Sequence, residues 1–447
     1  MFLEKLRAKH CGLEMRTPIS IPPAAMEGPA AQSVETYIDK LMSFVDAGAS
    51  KVSIQYTCPE NIVNYPKGKE PILRWGSVDD SSLIAKNFRY LFIIADEYAI
   101  MGRKDTGKRI IDGLKKRVPP GVIVQADVVG KGSDPESWSS IAKEFEDAGA
   151  DCIELDTSCP FFAFHKEPRW AAFIREGFPN QQIADSDEAL PPVIEAVAKK
   201  LTVPFGWKMT PETGWPRFLY LAKEATDKGA NWVTCTNNPL MFTPIDIYND
   251  GKPDEKLFPG GTANTMAGAV GYGRAIGRKT VAAIRHWVPK AGIQAVIGIT
   301  KPEYAVDYLM LGADIIELSS GLWFYGKDFI TKTVKFIERF MDDYGYDSID
   351  ELRGRALEHT EWDATKYNYR YGELVAKVDE EMCTGCRRCI GTVCFAMSMD
   401  DGKAKVNEVL CGGCGLCTQT CPVGAVILVE RAKPKELDIA RGIPAIK

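Results

Sequence analysis

The chain has 447 residues, of which 45% are apolar, and a net charge of −5 at pH 7. This length exceeds what one hydrophobic core usually serves, so a large domain and a smaller one are expected. The acidic balance argues against a nucleic-acid-binding protein, which would normally present a basic surface. The sequence offers neither the roughly 18 uncharged apolar residues of a membrane span nor the apolar core of a signal peptide, so a cytoplasmic location without membrane contact is expected.

Residues 1–345 alternate short β-branched runs with helical patterns, which is typical of parallel βαβ units. Three helical patterns end in a Gly-Ala pair directly before a strand, where glycine is expected to cap the helix in the left-handed region. The predicted strands are Ile19–Pro22, Lys51–Tyr56, Val122–Asp127, Cys152–Asp156, Phe205–Met209, Trp232–Asn237, Ala295–Ile299 and Ile315–Ser319. Eight such units predict a (β/α)8 TIM barrel. A doubly wound sheet is the alternative, but it would require a glycine-rich fingerprint after the first strand, where PPAAMEGPA stands.

The ends of the predicted strands carry a polar set of residues. Barrels place their chemistry at the C-terminal strand ends and commonly bind phosphate after strands 7 and 8. The residues at these ends are Ala24, Ala25, Tyr56–Cys58, Asp156–Pro160, Lys208, Thr236–Asn238, Gly298 and Ser319–Gly321. Each residue alone is explained by packing or by turn formation. Together they indicate a functional site with small residues on its phosphate side.

The C-terminal region is dense in cysteine: eight of the 13 cysteines lie between Cys383 and Cys421. The second of two runs, from Cys411 to Cys421-Pro422, matches the C-x2-C-x2-C-x3-C-P pattern of bacterial two-cluster ferredoxins. The first run departs from it, with four residues before Cys394 and Phe395 in place of proline. Two structural zinc sites are the alternative, because paired CxxC motifs also bind zinc, but zinc rarely uses three CxxC steps in series.

Resemblance to two-cluster ferredoxins implies two 4Fe–4S clusters with ligands from both runs. One cluster would be bound by Cys383, Cys386, Cys389 and Cys421, and the other by Cys411, Cys414, Cys417 and Cys394. The predicted domains are a barrel at 1–345, a linker at 346–372, a ferredoxin-like domain at 373–432 and a C-terminal tail at 433–447.

The barrel motifs IELDTSCP, GWKMTP, VTCTNN, GYGRAIGRKTVAAIR, VIGIT and ELSSGL, in this order, resemble the flavin barrel of dihydroorotate dehydrogenases. Followed by two cluster motifs, the chain resembles the catalytic barrel and ferredoxin part of dihydropyrimidine dehydrogenases. The resemblance implies FMN, two 4Fe–4S clusters and an enzyme that reduces or forms a C=C bond next to a carbonyl. Electrons would be exchanged with an external ferredoxin or a flavoprotein subunit that binds FAD and NAD(P), and an oligomer is expected.

The resemblance also implies roles for cofactor-binding residues. Lys208 would approach the N1 and O2 edge of the flavin, where its positive charge stabilises the reduced form. Asn237 would contact the flavin or the substrate. The phosphate would accept backbone N–H groups from Gly298 and from the Ser319–Gly321 turn, which includes Ser320. Ala24 and Ala25 would leave room for the ring system.

Cys159 occupies the family's general acid/base position, where a proton must move at the carbon next to the one that exchanges hydride. His165, in the same loop, is the rival acid because its pKa is naturally nearer neutrality. Asp156, Ser158, Asn238 and His165 are expected at the substrate.

The chain departs from the family pattern at several points. Asp156 replaces the family's substrate-binding asparagine, and an acceptor-only carboxylate cannot pair with a pyrimidine edge in the same way. The loop FFAFHKEPRW suits an apolar or aromatic substrate, and residues 58–101 form a long insertion. A reductase of an aromatic or enoyl substrate, or an electron-relay subunit of a larger complex, therefore stays open as an alternative.

Overall fold

The computed structural model describes residues 4–26, 33–57, 73–77, 91–95, 104–158, 164–165, 181–237, 239, 245–253, 267–363, 366, 372–433, 437–438 and 443–444. The chain divides into two compact units, Met1–Thr360 and Glu361–Lys447. The finer predicted bounds, with a linker at 346–372 and a tail at 433–447, stay predictions.

The first unit contains a closed barrel of eight parallel strands, which confirms the predicted fold. Its strands pair in chain order, and the last closes onto the first through Ile316 and Ile19. The strands are β1 (Ile19–Ile21), β2 (Lys51–Thr57), β3 (Ile123–Val128), β4 (Cys152–Leu155), β5 (Phe205–Lys208), β6 (Trp232–Cys235), β7 (Gly292–Ala295) and β8 (Ile315–Glu317).

Helices follow the barrel strands and bury one apolar face against them. They are α1 (Val34–Ala47), α2 (Lys104–Lys115), α3 (Pro135–Asp147), α4 (Leu190–Lys200), α5 (Arg217–Asp227), α6 (Val270–Trp287), α7 (Pro302–Met310), α8 (Ser320–Tyr325), α9 (Asp328–Tyr344) and α10 (Ile349–Leu352). The Gly-Ala pairs behave as predicted, because Gly48, Gly149 and Gly229 take φ values of 124°, 100° and 111° after α1, α3 and α5. Such values favour glycine, which has no Cβ.

The seventh strand differs from its predicted position. The apolar run predicted Ala295–Ile299, whereas the strand pairs over Gly292–Ala295. Ile297 and Gly298 take φ values of 76° and 73°, which turn the chain out of the sheet. A Cβ at Gly292 would lie 2.5 Å from Cys11 Sγ, so a glycine starts the strand for reasons of space.

An N-terminal hairpin of Ala8–His10 and Leu13–Met15 covers the other end of the barrel. Its residues Ala8 and Met15 share a buried cluster with residues at the starts of strands: Ile123, Cys152, Trp232 and Ile315. This apolar cluster therefore covers the N-terminal end of the barrel, so a site is expected at the C-terminal strand ends.

The second unit contains two antiparallel pairs: β9 (Leu374–Val378) with β12 (Val426–Glu430), and β10 (Met397–Asp400) with β11 (Lys403–Val406). A short helix, α11 (Leu416–Thr420), lies within the second cysteine run and contains Cys417. The remaining short strands form four further small sheets: Leu73–Ser77, Leu91–Ala95 and Ala267–Ala269; Phe164–His165 and Gln181–Gln182; Ile245–Asp246 and Lys252–Pro253; Leu437–Asp438 and Ile443–Pro444.

Candidate active site and cluster sites

A lysine surrounded by three acidic side chains lies at the C-terminal end of the barrel interior. Lys208 ends β5, and its Nζ lies 3.5 Å from Asp156 Oδ2, 3.6 Å from Asp127 Oδ2 and 3.8 Å from Glu154 Oε1. The acids come from β3, β4 and the residue just after β4, which are neighbouring segments of the barrel wall. The Lys208 side chain is 11% exposed, whereas those of Asp127 and Glu154 are fully buried. Lys208, at 11%, and Asp156, at 7%, are therefore the members of this group that reach the strand ends.

Glu154 is the best-bonded acid of the group. Its Oε2 accepts hydrogen bonds from the Thr234 hydroxyl, from Trp232 Nε1 at 3.2 Å and from Gln294 Nε2 at 3.3 Å. These donors, from β6 and β7, hold the carboxylate of Glu154 against the neighbouring strands.

A second lysine lies deeper in the barrel. Lys51 Nζ donates to Gln294 Oε1 at 2.6 Å, and Gln294 Nε2 donates to Glu317 Oε1 at 2.9 Å. The Lys51 ammonium also lies 4.5 Å from the centre of the Trp232 ring, a cation–π contact. A polar network thus crosses the barrel from β2 through β7 to β8.

Burial sets the protonation of this interior. It raises the pKa of Asp127 well above its ordinary value, against the lowering effect of the nearby Lys208. Burial and the neighbouring Glu154 raise the pKa of Glu317 to about 8. Burial would lower the pKa of Lys208, but Asp156, Asp127 and Glu154 outweigh it and raise that pKa. Burial therefore favours the neutral forms of Asp127 and Glu317.

Ser158, the residue directly before Cys159, is held in place by hydrogen bonds. The Ser158 carbonyl accepts hydrogen bonds from Asn237 Nδ2 at 2.9 Å and from Gln182 Nε2 at 3.0 Å. The Ser158 hydroxyl donates to Asp156 Oδ1 at 3.3 Å. The structure thus brings together Asp156, Ser158 and Asn237, three of the predicted site residues.

Other predicted site residues are placed in part. Ala25 is buried after β1, and Ala24 lies beside it in the short 3-10 helix Pro23–Met26. His165 lies in the strand Phe164–His165, of which the backbone is described. Cys159 and Asn238 lie outside the described residues.

The predicted phosphate side is formed by the turns after β7 and β8. Gly298 follows Ile297, and both residues have positive φ. The Leu318 N–H donates to the Ser20 carbonyl at 2.9 Å, and Ser319 then precedes the start of α8 at Ser320. A Cβ at Gly321 would lie 2.1 Å from a ring carbon of Phe329. Small residues therefore come together on two adjacent strands.

The cysteines of the second unit repeat one burial pattern. In each run the first and third cysteines are buried, the second is exposed and the fourth is half-buried. Burial and the nearby Cys383, Cys386 and Cys421 raise the pKa of Cys389. Burial and the neighbours Cys411, Cys414 and Cys394 likewise raise the pKa of Cys417. Cys389 thus has Cys383, Cys386 and Cys421 as electrostatic neighbours, and Cys417 has Cys411, Cys414 and Cys394. The assignment of these cysteines to two clusters stays a prediction.

Backbone N–H groups point at several of these sulfurs. The N–H groups of Ala404, Ala376 and Ala425 donate to Cys383 Sγ at 3.5 Å, Cys411 Sγ at 3.4 Å and Cys421 Sγ at 3.2 Å. The bond from Ala404 is the main reason that the pKa of Cys383 is lowered. Such donors favour thiolates, the form that binds iron.

The first cysteine set lines a small cavity, together with apolar residues such as Met399, Ala404 and Val426. In the part of the chain that the structure describes, no three Cys, His, Asp or Glu side chains are placed to hold a single metal ion. No helix among the described residues is long and apolar enough to span a membrane.

Sequence reasoning missed the polar interior of the barrel. A signal was present, because charged or amide residues stand inside otherwise apolar strands at positions that alternate with buried apolar residues. These residues are Lys51, Gln125, Asp127, Glu154, Gln294 and Glu317. Gln182 was also missed, since it lies in a two-residue strand without a pattern.

Comparison with protein families matches residues 404–427 to a 4Fe-4S binding domain. The match includes all four cysteines of the second run, so iron–sulfur binding, not zinc, is supported there.

Comparison with characterised proteins finds redox enzymes. The chain is 26% identical over 283 residues to the NAD-dependent dihydropyrimidine dehydrogenase subunit PreA of Escherichia coli K12, covering 62% of each chain. It is 23% identical over 222 residues to the dihydroorotate dehydrogenase B (NAD(+)) catalytic subunit of Thermoplasma volcanium, covering 50% of this chain and 65% of that one. The chain is 27% identical over 229 residues to the dihydroorotate dehydrogenase B (NAD(+)) catalytic subunit of Pyrococcus abyssi, covering 51% of this chain and 67% of that one. The chain thus spans less than two thirds of the length of the first two relatives, and the predicted resemblance is confirmed.

Proposed function

Because the chain is homologous to subunits of dihydropyrimidine and dihydroorotate dehydrogenases, we propose that it is an FMN- and iron–sulfur-dependent oxidoreductase of CH–CH groups. It would reduce or form a C=C bond next to a carbonyl and exchange electrons through its clusters with an external ferredoxin or a flavoprotein subunit that binds FAD and NAD(P). The observation that carries the proposal is the Lys208 ammonium at the open end of a closed barrel, on a chain with two sets of four cysteines.

The cysteine sets fit 4Fe–4S clusters. Each set supplies four thiols, and the backbone N–H groups of Ala376, Ala404 and Ala425 already point at sulfurs. The clusters would supply one-electron transfer. Cys383, Cys386, Cys389 and Cys421 would hold one, and Cys411, Cys414, Cys417 and Cys394 the other.

The barrel residues fit a flavin that carries negative charge at one edge. Lys208 is a buried cation with one accessible side, which is what an electrostatic stabiliser requires. FMN would supply the hydride chemistry when bound. Gly298 and the Ser319–Gly321 turn follow two adjacent strands, and their small side chains would leave room for the phosphate. The small side chain of the buried Ala25 would leave room for the ring system after β1.

Substrate binding is proposed at Asp156, Ser158, Asn237 and Asn238, with Cys159 holding the proton that moves at the substrate carbon. The Asp156 carboxylate, bonded to Lys208 and to the Ser158 hydroxyl, offers acceptors and no donor. It favours a substrate that presents an N–H or O–H group at this position. His165 is the rival proton donor.

An electron-relay role within a larger complex is the second candidate. It is favoured by Asp156 at the position of the family's substrate-binding asparagine, which removes a hydrogen-bond donor to substrate. Substrate-dependent reoxidation of the reduced flavin distinguishes the two, because a relay subunit passes electrons only to a protein partner.

The cluster proposal is tested by iron and sulfide analysis of anaerobically purified protein, which should give about eight of each per chain. Cys389→Ala changes one cysteine of the first set and Cys417→Ala one cysteine of the second. Each variant should lose about half of the iron and sulfide. Cys235→Ala is the matched control, since this buried thiol on β6 belongs to neither set. Stoichiometric zinc without iron would contradict the proposal.

The flavin proposal is tested by releasing the cofactor with heat and identifying it by mass. FMN is expected, at reduced occupancy in Lys208→Met. Lys199→Met, on the exposed face of α4, is the matched control and should bind flavin like the wild type. Recovery of FAD alone, or of no flavin from fresh protein, would sink the assignment.

A further inference from the structure

Asp127 differs from the other two acids around Lys208 in its hydrogen bonding. Glu154 accepts three hydrogen bonds, and Asp156 accepts one from Ser158 and one from Lys208 at 3.5 Å. Within the residues that the structure describes, neither oxygen of Asp127 has a hydrogen-bond partner. A buried carboxylate without donors is the least stable of the three, so Asp127 is the acid of this group that binds a proton most readily.

The surroundings of Asp127 explain why its proton matters to Lys208. Asp127, on β3, lies 3.6 Å from the ammonium of Lys208 on β5. It also interacts electrostatically with Asp156 after β4, Glu154 on β4 and Glu317 on β8. Three of these four groups are acids, and Lys208 is the cation that an ionised Asp127 would attract. Because Asp127 is fully buried while Lys208 is partly exposed, that attraction points into the barrel, away from the strand ends.

We propose that Asp127 is a positioning residue that sets how much positive charge Lys208 presents at the strand ends, by holding or releasing one proton. When protonated, Asp127 leaves the ammonium paired with Glu154 and Asp156 and available at the strand ends, where the proposed flavin would bind. When ionised, it draws the ammonium inward and adds a negative charge beneath it. The step exchanges one proton with solvent and transfers no electrons.

The inference rests on the proposed function, because the flavin reports the charge that Lys208 presents. Adding electrons to a flavin beside Lys208 increases the negative charge there, which favours a proton on Asp127. Reduction is then accompanied by uptake of one more proton. Each such proton changes the reduction equilibrium tenfold per pH unit, about 30 mV for a two-electron couple.

The test measures the midpoint potential of the bound FMN against pH in the wild-type holoenzyme, in Asp127→Asn and in Glu317→Gln. Asparagine mimics the protonated acid, so Asp127→Asn should match the wild type at acidic pH and lose the additional slope, about 30 mV per pH unit, at alkaline pH. Glu317→Gln is the matched control, because it removes another buried acid of the barrel interior, one that forms no ion pair with Lys208 within 4 Å, whereas Asp127 lies 3.6 Å from it. It should keep the additional slope. Its persistence in Asp127→Asn, or its loss in Glu317→Gln, would overturn the proposal.

A second measurement needs neither a variant nor flavin. Infrared spectra of wild-type protein at neutral pH should contain a protonated-carboxyl band that shifts when aspartate is labelled with carbon-13 and disappears at high pH. Absence of this band at neutral pH would refute the protonated Asp127. A wild type that shows the band but binds no flavin would refute the proposed function instead.

Discussion

The glutamate that ties helix α3 to the segment before β5 offers a direct test of the electrostatic reasoning. Glu146 accepts the backbone N–H groups of Thr202 at 2.8 Å and Val203 at 2.9 Å, and its other oxygen lies 2.8 Å from Lys143 Nζ. Burial alone would raise the pKa of Glu146, but these donors outweigh it and lower the pKa from 4.5 to about 2. The carboxylate thereby anchors the segment that leads to Lys208.

Replacing Glu146 by glutamine keeps an acceptor oxygen and removes the charge. A fall of the pKa from 4.5 to about 2 corresponds to about 3 kcal/mol of the free energy of unfolding at pH 7. Because the glutamine oxygen can still accept the two N–H groups, we expect Glu146→Gln to lose about 2 kcal/mol. The folded-state pKa is depressed, so this contribution is complete above pH 4.5 and is lost as the pH falls toward 2.

Urea unfolding, followed by tryptophan fluorescence, measures the difference between wild type and Glu146→Gln at pH 7 and at pH 3. The difference should shrink to less than half at pH 3. Asp147→Asn is the matched control, because this exposed neighbour also pairs with Lys143, at 2.9 Å, and surface pairs contribute about 0 to 1 kcal/mol. An equal loss at both pH values, or none at pH 7, would refute the reasoning.

Three further predictions follow from single side chains. Burial lowers the pKa of His10 from 6.5 to about 4, so between these pH values the unfolded chain binds a proton that the folded chain does not. The free energy of unfolding should therefore fall by about 2 kcal/mol from pH 7 to pH 5, as measured by urea unfolding, and His10→Asn should abolish this fall. A Cβ at Gly206 would lie 2.2 Å from the Trp232 ring, so Gly206→Ala should cost about 1–3 kcal/mol in urea unfolding, and a neutral result would contradict this packing. Cys159→Ser should slow turnover of an identified substrate by roughly 10²- to 10⁴-fold with clusters and FMN retained, whereas full turnover in Cys159→Ser with loss in His165→Ala would give histidine the role.

The fold could be predicted because its signals are local and repeated. A helix, a Gly-Ala pair and an apolar strand recur along the chain, and the glycines after α1, α3 and α5 do take positive φ. The strand before Ile297 was misplaced because its residues remain apolar after the pairing ends. A left-handed turn at a β-branched residue has no signature in an apolar run.

The candidate site could be predicted only in outline. Lys208, Asp156 and Asn237 could be predicted because they lie at the C-terminal ends of strands, where a (β/α)8 barrel places its functional residues. The hydrogen bonds of Ser158 and the acids around Lys208 depend on which strands become neighbours. That register is a property of the closed barrel and not of any one segment.

The closure of the barrel between its first and last strands also constrains how the chain can be made. Ile19 pairs with Ile316, and Lys51 finds its hydrogen-bond partner in Gln294. During synthesis from the N-terminus, the lysine on β2 is made long before the strand that satisfies it. Contacts so distant in sequence slow folding, and partly built α/β chains expose apolar strand surface. We therefore expect the barrel of the first unit to close only after β8 has left the ribosome.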